Sequence, residues 1–263
     1  MAAPAPVTLS RWARVRPPLI VLAVLVLAWE AAHRLHLYPD FLFPGPLDAA
    51  RSLVALARSG QLLPSLTATL TRLGISFLLS LVLGAILAAL LVLIPWLRRG
   101  VQPLLLGLQS LPGIAWVPVA LLWFGFSENA LYFVTVIGSV FAITMGFVDA
   151  FSLVPPLYAK AGRNMGVSGV RLLVRVTIPA ATPHLVSSAK VGWSFAWRSL
   201  IGAEIVFASV GLGFLLNQGR EFLNVAQVFG TMVAVLVLGS AFERLLFARL
   251  ERFVRRRWGL TKA

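Results

Sequence analysis

The sequence predicts an all-α integral membrane protein with about six transmembrane helices. Apolar residues make up 59% of the 263 residues and charged residues only 12%, about half the charged share of an ordinary soluble domain. The apolar residues form blocks of roughly 20, the length that a helix needs to cross a hydrocarbon core of about 30 Å. Because lipid offers the backbone no hydrogen-bonding partner, we expect each block to be a helix.

Polar segments separate the six blocks. The first block ends without the small-residue cleavage site of a signal peptide, so we interpret it as a membrane helix. Residues 38–61 open with prolines, which oppose helix formation, and then contain a short amphipathic stretch, 47–57. Residues 125–129 predict a tight turn, and residues 211–224 predict a loop. The predicted spans are 18–37, 65–97 (or 73–97), 101–124, 130–153, 183–208 and 225–247.

The distribution of basic residues predicts the orientation of the chain. The net charge of +14 could indicate a nucleic-acid partner, but the basic residues lie in short segments between the apolar blocks. With the N-terminus in the cytoplasm, the cytoplasmic side carries 16 Lys and Arg residues and the opposite side four. Cytoplasmic loops of membrane proteins carry such an excess. We therefore predict cytoplasmic termini and no nucleic-acid binding, with an N-terminal segment 1–17, a membrane domain 18–250 and a basic tail 251–263.

Several classes of chemistry are absent from the sequence. It has no cysteine, which excludes disulfides and thiolate metal sites. Its three histidines include no zincin-type pair, and its nine acidic residues are scattered, so neither an enzyme nor a metal site is predicted. It also lacks a Gly-x-x-x-x-Gly-Lys-Ser/Thr phosphate loop and cannot hydrolyse ATP by that route.

Residues 155–182 form the most unusual polar segment, and their position between the fourth and fifth spans predicts that they lie in the cytoplasm. Gly166 suits a helix C-cap that needs a left-handed backbone, and Ser168 can cap a second short helix, which Pro179 would end. The predicted product is a compact knob of two short helices; the alternative is an ordinary loop. In the second helix, one face would carry Val170, Leu173, Val174 and Thr177, and another Arg171 and Arg175.

The fifth span carries charged residues that an apolar helix does not require. Lys190 and Arg198 are eight residues apart, about 12 Å and two turns, so they lie near one face with Ser194 between them. Such a stripe could guide an anion. In the alternative interpretation, Lys190 extends to the interface and Arg198 pairs with a carboxylate. We expect Glu204 to contact neighbouring helices or loops, and Arg72 to lie at an interface.

The segment at 155–182 resembles the EAA loop of bacterial ABC importer permeases. In that pattern, Glu-Ala-Ala, three residues and Gly lead to a hydrophobic-Pro pair, and here Gly166 and Pro179 have the same separation. Lys160 stands where the family has Glu, which reverses the charge. The resemblance implies coupling to an ATPase through Lys160, Ala161, Gly162, Gly166, Val167, Ser168, Ile178 and Pro179.

Further stretches resemble the nitrate/sulfonate/taurine-type permeases. They occur in the family's order and include Trp29-Glu30, Phe41-Leu42-Phe43-Pro44-Gly45-Pro46, Leu111-Pro112-Gly113-Ile114-Ala115-Trp116-Val117-Pro118, Ala196-Trp197-Arg198, Ala203-Glu204 and Gly211-Leu212-Gly213. The resemblance implies the type I importer permease fold, the bacterial inner membrane, and a small solute, which the basic residues suggest is an anion.

Membership of such a family would also define the partners. The resemblance implies a second permease copy, two ATP-binding subunits that hold ATP and Mg, and an extracytoplasmic solute-binding protein. This chain would bind no cofactor itself. The competing hypothesis is a stand-alone secondary transporter or channel. That class often shows internal repeats, and no clear repeat occurs here.

Overall fold

The computed structural model describes residues 11–39 and 41–257, and the described part of the chain is helical without β-strands. The predicted fold class is therefore confirmed. Most of the predicted N-terminal segment and the end of the basic tail lie outside the described residues. The helices are α1 (Arg11–Arg34), α2 (Pro46–Arg58), α3 (Leu62–Leu93), α4 (Pro95–Gln109), α5 (Val117–Phe124), α6 (Glu128–Ser152), α7 (Pro156–Asn164), α8 (Gly169–Leu172), α9 (Ile178–Phe207), α10 (Leu212–Glu221), α11 (Val225–Phe242) and α12 (Ala248–Arg257).

The described helices supply up to six membrane spans. Four are long and apolar enough to cross a bilayer alone, and they cover 16–34, Leu62–Leu93, Glu128–Ser152 and 225–254. Two further segments are bent helix pairs, at Pro95–Phe124 and at Gly169–Glu221. Counting each bent pair as one span gives the six that the hydropathy pattern predicts.

The third span is not the straight helix predicted for 101–124. After α4, the chain bends by 99° and passes through a short 3₁₀ turn, Gly113–Trp116, into α5. Pro112 is the physical reason, because proline has no backbone N–H and disfavours helical geometry at the residue before it. The turn also brings Gly113 against Ser199 of α9, where an added Cβ atom would lie 2.6 Å from the Ser199 Cβ.

Two other expectations are wrong. Residues 211–224 were expected to form a loop, but most of them form α10, which packs against α9. Pro179 does not end a helix, because the chain continues from α8 through a π-helical turn, Leu173–Thr177, into α9. The wider turn interrupts the regular hydrogen bonding immediately before Pro179, where the helix lacks a donor.

The core of the bundle is formed by α6, which packs between α3 and α9. Ile143 of α6 is fully buried and contacts both Gly84 of α3 and Gly192 of α9. These two glycines belong to the small-residue pairs Gly84/Ala88 and Gly192/Ala196, and all four residues are buried, as small residues at helix contacts in membranes are. By contrast, no residue in the apolar span of α1 is buried.

Candidate coupling segment and translocation cavity

The predicted knob forms in part: α7 packs closely on the helix that follows it, but that second helix is not short, because α8 continues into α9. Gly162 is buried, and an added Cβ atom there would lie 2.6 Å from Leu172 Cδ1 and 3.3 Å from Val176 Cγ2. Leu172 and Leu173 are also buried. Absence of a side chain at residue 162 thus allows the two helical segments to make contact.

The turn after α7 has the predicted backbone geometry. Gly166 has a φ of +77°, and the Val167 N–H donates to the Gly162 carbonyl at 3.0 Å. This is the left-handed ending that glycine favours. Ser168 occupies the N-cap position of α8 with an extended backbone, but its side chain makes no capping hydrogen bond. The predicted position of Ser168 is therefore confirmed, whereas its predicted bond is not formed.

The predicted apolar face of the second helix is wrong in part. The inward residues are Leu172, Leu173 and Val176, whereas Val170 and Val174 are 60% and 54% exposed. Residues 172, 173 and 176 still follow helical spacing, so the period is right and the face is wrong, because Gly162 of α7 packs against Leu172 and Val176. As a result, apolar side chains project outward beside the exposed Arg171 and Arg175.

Residues at the other end of the coupling segment have a different environment. Lys160 and Ala161 are exposed on α7, and Val167 is half-buried at the turn. Ile178 and Pro179 begin α9, with Ile178 36% exposed. The eight residues implied by the resemblance thus lie along α7, the turn and the start of α9, and only Gly162 among them is buried.

A cavity of about 680 Å³ lies between α9 and α11. Ser194 and Arg198 from the predicted stripe line it, together with Trp193 and Trp197. Glu243, at the start of a second π-helical turn, also lines the cavity and pairs with Lys190 at 3.0 Å. Two of the three stripe residues, Ser194 and Arg198, therefore face a cavity that also has indole and carboxylate groups, whereas Lys190 lies beside it.

The two basic residues of this stripe have different partners. Lys190 Nζ forms the ion pair with Glu243, so it is Lys190 that finds a carboxylate, whereas the alternative interpretation assigned one to Arg198. Arg198 is exposed, its guanidinium carbon lies 4.7 Å from the centroid of the Phe195 ring, and its Nε donates to the Ser194 carbonyl at 3.1 Å. Among the described residues, Arg198 makes no ion pair.

A buried ionic cluster joins three long helices at the opposite end of α9. Arg72 of α3 donates to Glu204 of α9 at 2.8 Å and to Glu128 of α6 at 2.7 Å. Thr69 donates to Glu204 at 2.9 Å and accepts from the Leu212 N–H at 2.9 Å. Arg72 is 5% exposed and Glu204 fully buried, so Arg72 lies inside the protein between two carboxylates, and its interfacial depth stays a prediction.

This cluster cannot be predicted from any single segment of the sequence. Its charged members are separated by 56 and 132 residues, so neither helical periodicity nor local spacing links them. A possible signal was the presence of ionisable residues inside apolar spans, since such residues usually face a partner within the protein. Glu204 was expected to contact neighbouring helices or loops, and it does so.

Comparison with known structures identifies the fold. One chain of the MetNI methionine ABC transporter, in an inward-facing conformation, superposes on this chain with a TM-score of 0.63 at 21% identity. The match covers 71% of this chain and 92% of that chain. A second crystal form of the same transporter gives a TM-score of 0.61 at 20% identity, covering 74% and 95%. The fold is thus that of a type I importer permease.

Sequence comparison then identifies the family. Residues 80–258 match the model of the binding-protein-dependent transport system inner membrane component. This span exceeds half of the chain, and the chain belongs to that family of ABC importer permease subunits. It is thus a multi-pass membrane protein.

Curated relatives agree with this assignment. The taurine transport system permease protein TauC of Escherichia coli is 24% identical, over 84% of this chain and 82% of TauC. The putative aliphatic sulfonates transport permease protein SsuC of Bacillus subtilis is 25% identical, over 89% and 86%. A probable ABC transporter permease of Haemophilus influenzae is 26% identical, over 92% and 98%. The predicted nitrate/sulfonate/taurine-type family is confirmed.

Proposed function

We propose that this chain forms the translocation path of an ATP-driven importer for a small anion and couples to a separate ATPase through residues 155–182. The observation that supports coupling most directly is the close packing of the knob. Gly162 lets α7 pack against Leu172 of α8 and Val176 of the π-helical turn, and Gly166 shapes the turn between α7 and α8. Because α9 continues from this knob to the cavity and to the ionic cluster, a displacement of the knob can be transmitted along one helix.

The proposed path includes Lys190, Ser194 and Arg198. Arg198 supports anion passage for two reasons. Its guanidinium has no carboxylate partner among the described residues, and its side chain lines a cavity together with two indole rings. Glu243 also lines this cavity, and its ion pair with Lys190 neutralises its charge. The names of two relatives, for taurine and for aliphatic sulfonates, favour a small organic sulfonate or a related acid.

We infer the same set of partners that the family resemblance implies. They are a second permease copy, two ATP-binding subunits that hold ATP and Mg, an extracytoplasmic solute-binding protein and the lipid bilayer. ATP can drive the cycle only if it binds the states of this complex with different affinity, and the ATP-binding subunits would supply that difference. In this arrangement both termini and residues 155–182 face the bacterial cytoplasm.

The coupling proposal predicts a specific effect of substitution at Gly166. A side chain there would meet no atom within 4 Å, but the φ of +77° is unfavourable for other residues, at about 1–2 kcal/mol. We expect Gly166→Glu to distort the knob and abolish both co-purification of the ATP-binding subunit and its stimulation by the loaded binding protein. These are measured by affinity purification and by phosphate release in liposomes.

Gly60 provides the matched control. It has a φ of +76°, and its added Cβ atom would also meet nothing within 4 Å, but it lies in the turn between α2 and α3. Gly60→Glu should retain the ATP-binding subunit and its stimulated activity. Intact assembly and uptake in Gly166→Glu would contradict the coupling role, and uptake without any ATP-binding subunit would favour a stand-alone transporter.

A further inference from the structure

The exposed surface of the coupling segment carries only positive charge. Residues 155–182 contain four basic residues and neither Asp nor Glu. All four are exposed, and in the described part of the chain none of them forms an ion pair. The four are Lys160, Arg163, Arg171 and Arg175.

Exposed apolar side chains lie among these cations. Leu157 is 73% exposed and Met165 is 74% exposed, and Val170 and Val174 project outward as described above. Leu157 and Lys160 are three residues apart and share a face of α7, roughly opposite the buried Gly162. Positive charges alone would be enough to orient the chain in the membrane. The exposed apolar residues between them therefore indicate a surface that becomes covered by protein.

We propose that the groove of the ATP-binding subunit that receives α7 and α8 is acidic, with Asp or Glu side chains facing these four basic residues. This inference rests on the proposed coupling function. Covering the apolar residues also removes the neighbouring cations from water, which is costly unless they meet opposite charges. The permease pattern that this segment resembles has Glu where this chain has Lys160, so the sign of the contact is reversed at that position.

The test uses the detergent-solubilised full chain and the ATP-binding subunit that co-purifies with it. We expect K160E/R171E to weaken binding by about tenfold or more, since like charges would then face each other across the interface. Binding of the wild type should also weaken between about 0.05 and 0.5 M salt, and K160Q/R171Q should lose about half of that dependence, because two of the four cations remain. Titration calorimetry or biolayer interferometry measures each affinity, and thermal melting verifies that each variant is folded.

The control is R249E/R252E, which reverses two exposed arginines of α12. It removes the same amount of positive charge from the same proposed side of the membrane and should leave binding unchanged. Wild-type affinity in K160E/R171E, or equal losses in both double variants, would overturn the acidic groove. So would a loss that appears only with anionic lipid, since the cations would then serve lipid headgroups. If no ATP-binding subunit co-purifies with the wild type, it is the coupling function itself that fails.

Discussion

Arg72 lies between two carboxylates from different helices, and their burial differs greatly. The Glu204 side chain is fully buried, whereas the Glu128 side chain is 55% exposed. Glu204 also accepts hydrogen bonds from Thr69 and from the Gly213 N–H at 3.0 Å. Close approach of the backbone makes this possible, because an added Cβ atom at Gly211 would lie 2.6 Å from the Glu204 carboxylate. Glu204 is therefore the member of the cluster that solvent cannot replace.

Neutralising either carboxylate tests this difference at the residue scale. Glu204→Gln places an NH₂ group among donors, and we expect it to cost about 1–3 kcal/mol of stability, as for a buried group left unsatisfied. Glu128→Gln should cost less than about 1 kcal/mol, because water can solvate Arg72 on that side. Thermal melting of the full chain in detergent measures both, and equal losses would contradict the assignment of Glu204 as the central acceptor.

At the scale of the helices, close packing of α3, α6 and α9 depends on Ile143. Its branched side chain fills the space left by Gly84 on one side and by Gly192 on the other. Ser188 of α9 also donates to the Gly146 carbonyl of α6 at 2.9 Å, which adds a polar contact between the same helices. Contacts of this kind, between small residues and across backbones, are a main source of association between helices in lipid.

Two glycines of α3 form a matched pair for testing that packing. At Gly84, an added Cβ atom would lie 2.6 Å from Ile143 Cγ2, whereas at Gly74 it would meet no atom within 4 Å. Gly84→Ala should therefore destabilise the protein by about 1–3 kcal/mol through overpacking. Gly74→Ala should instead stabilise it by about 0.5–1 kcal/mol, because alanine favours the helix. The shifts in melting temperature should have opposite signs. A stabilising Gly84→Ala would show that α6 can move to accommodate the added methyl group without cost.

At the scale of the whole molecule, the orientation in the membrane rests on the distribution of basic residues. Two exposed serines report on it, Ser59 after α2 and Ser168 before α8. The sequence has no cysteine, so Ser59→Cys and Ser168→Cys introduce single thiols by small changes. In cells that lack the ATP-binding subunit, which would otherwise cover Ser168, a membrane-impermeant maleimide should label Ser59→Cys without permeabilisation and Ser168→Cys only after it. The reverse pattern would show that residues 155–182 face outward, where no ATP-binding subunit could reach them.

Much of the architecture follows from local sequence. Spans with high hydropathy could be counted because each must satisfy its backbone and face lipid by itself, whatever its neighbours are. The left-handed turn at Gly166 was likewise predictable, since the glycine and the capping residue after it act within a few positions. In the same way, α2 was visible as an amphipathic stretch between prolines and the next span.

The remaining features required contacts between distant parts of the chain. The third span bends by 99° after α4, where Pro112 interrupts the helix and Gly113 packs closely against Ser199 of α9. Likewise, helical periodicity alone cannot tell which face of this segment meets Gly162 of α7, and the contact is made by Leu172 and Val176 while Val170 and Val174 are exposed.

Sequence by itself determined the class of protein, the number of spans and the segment that resembles a coupling loop, because hydropathy, charge and short motifs act over a few turns of chain. Only the tertiary structure decided that Lys190, rather than Arg198, has a carboxylate partner, and that Arg72 joins Glu128 to Glu204. These pairings depend on which helices become neighbours, and that is set by packing around α6, with Ile143 between two glycines.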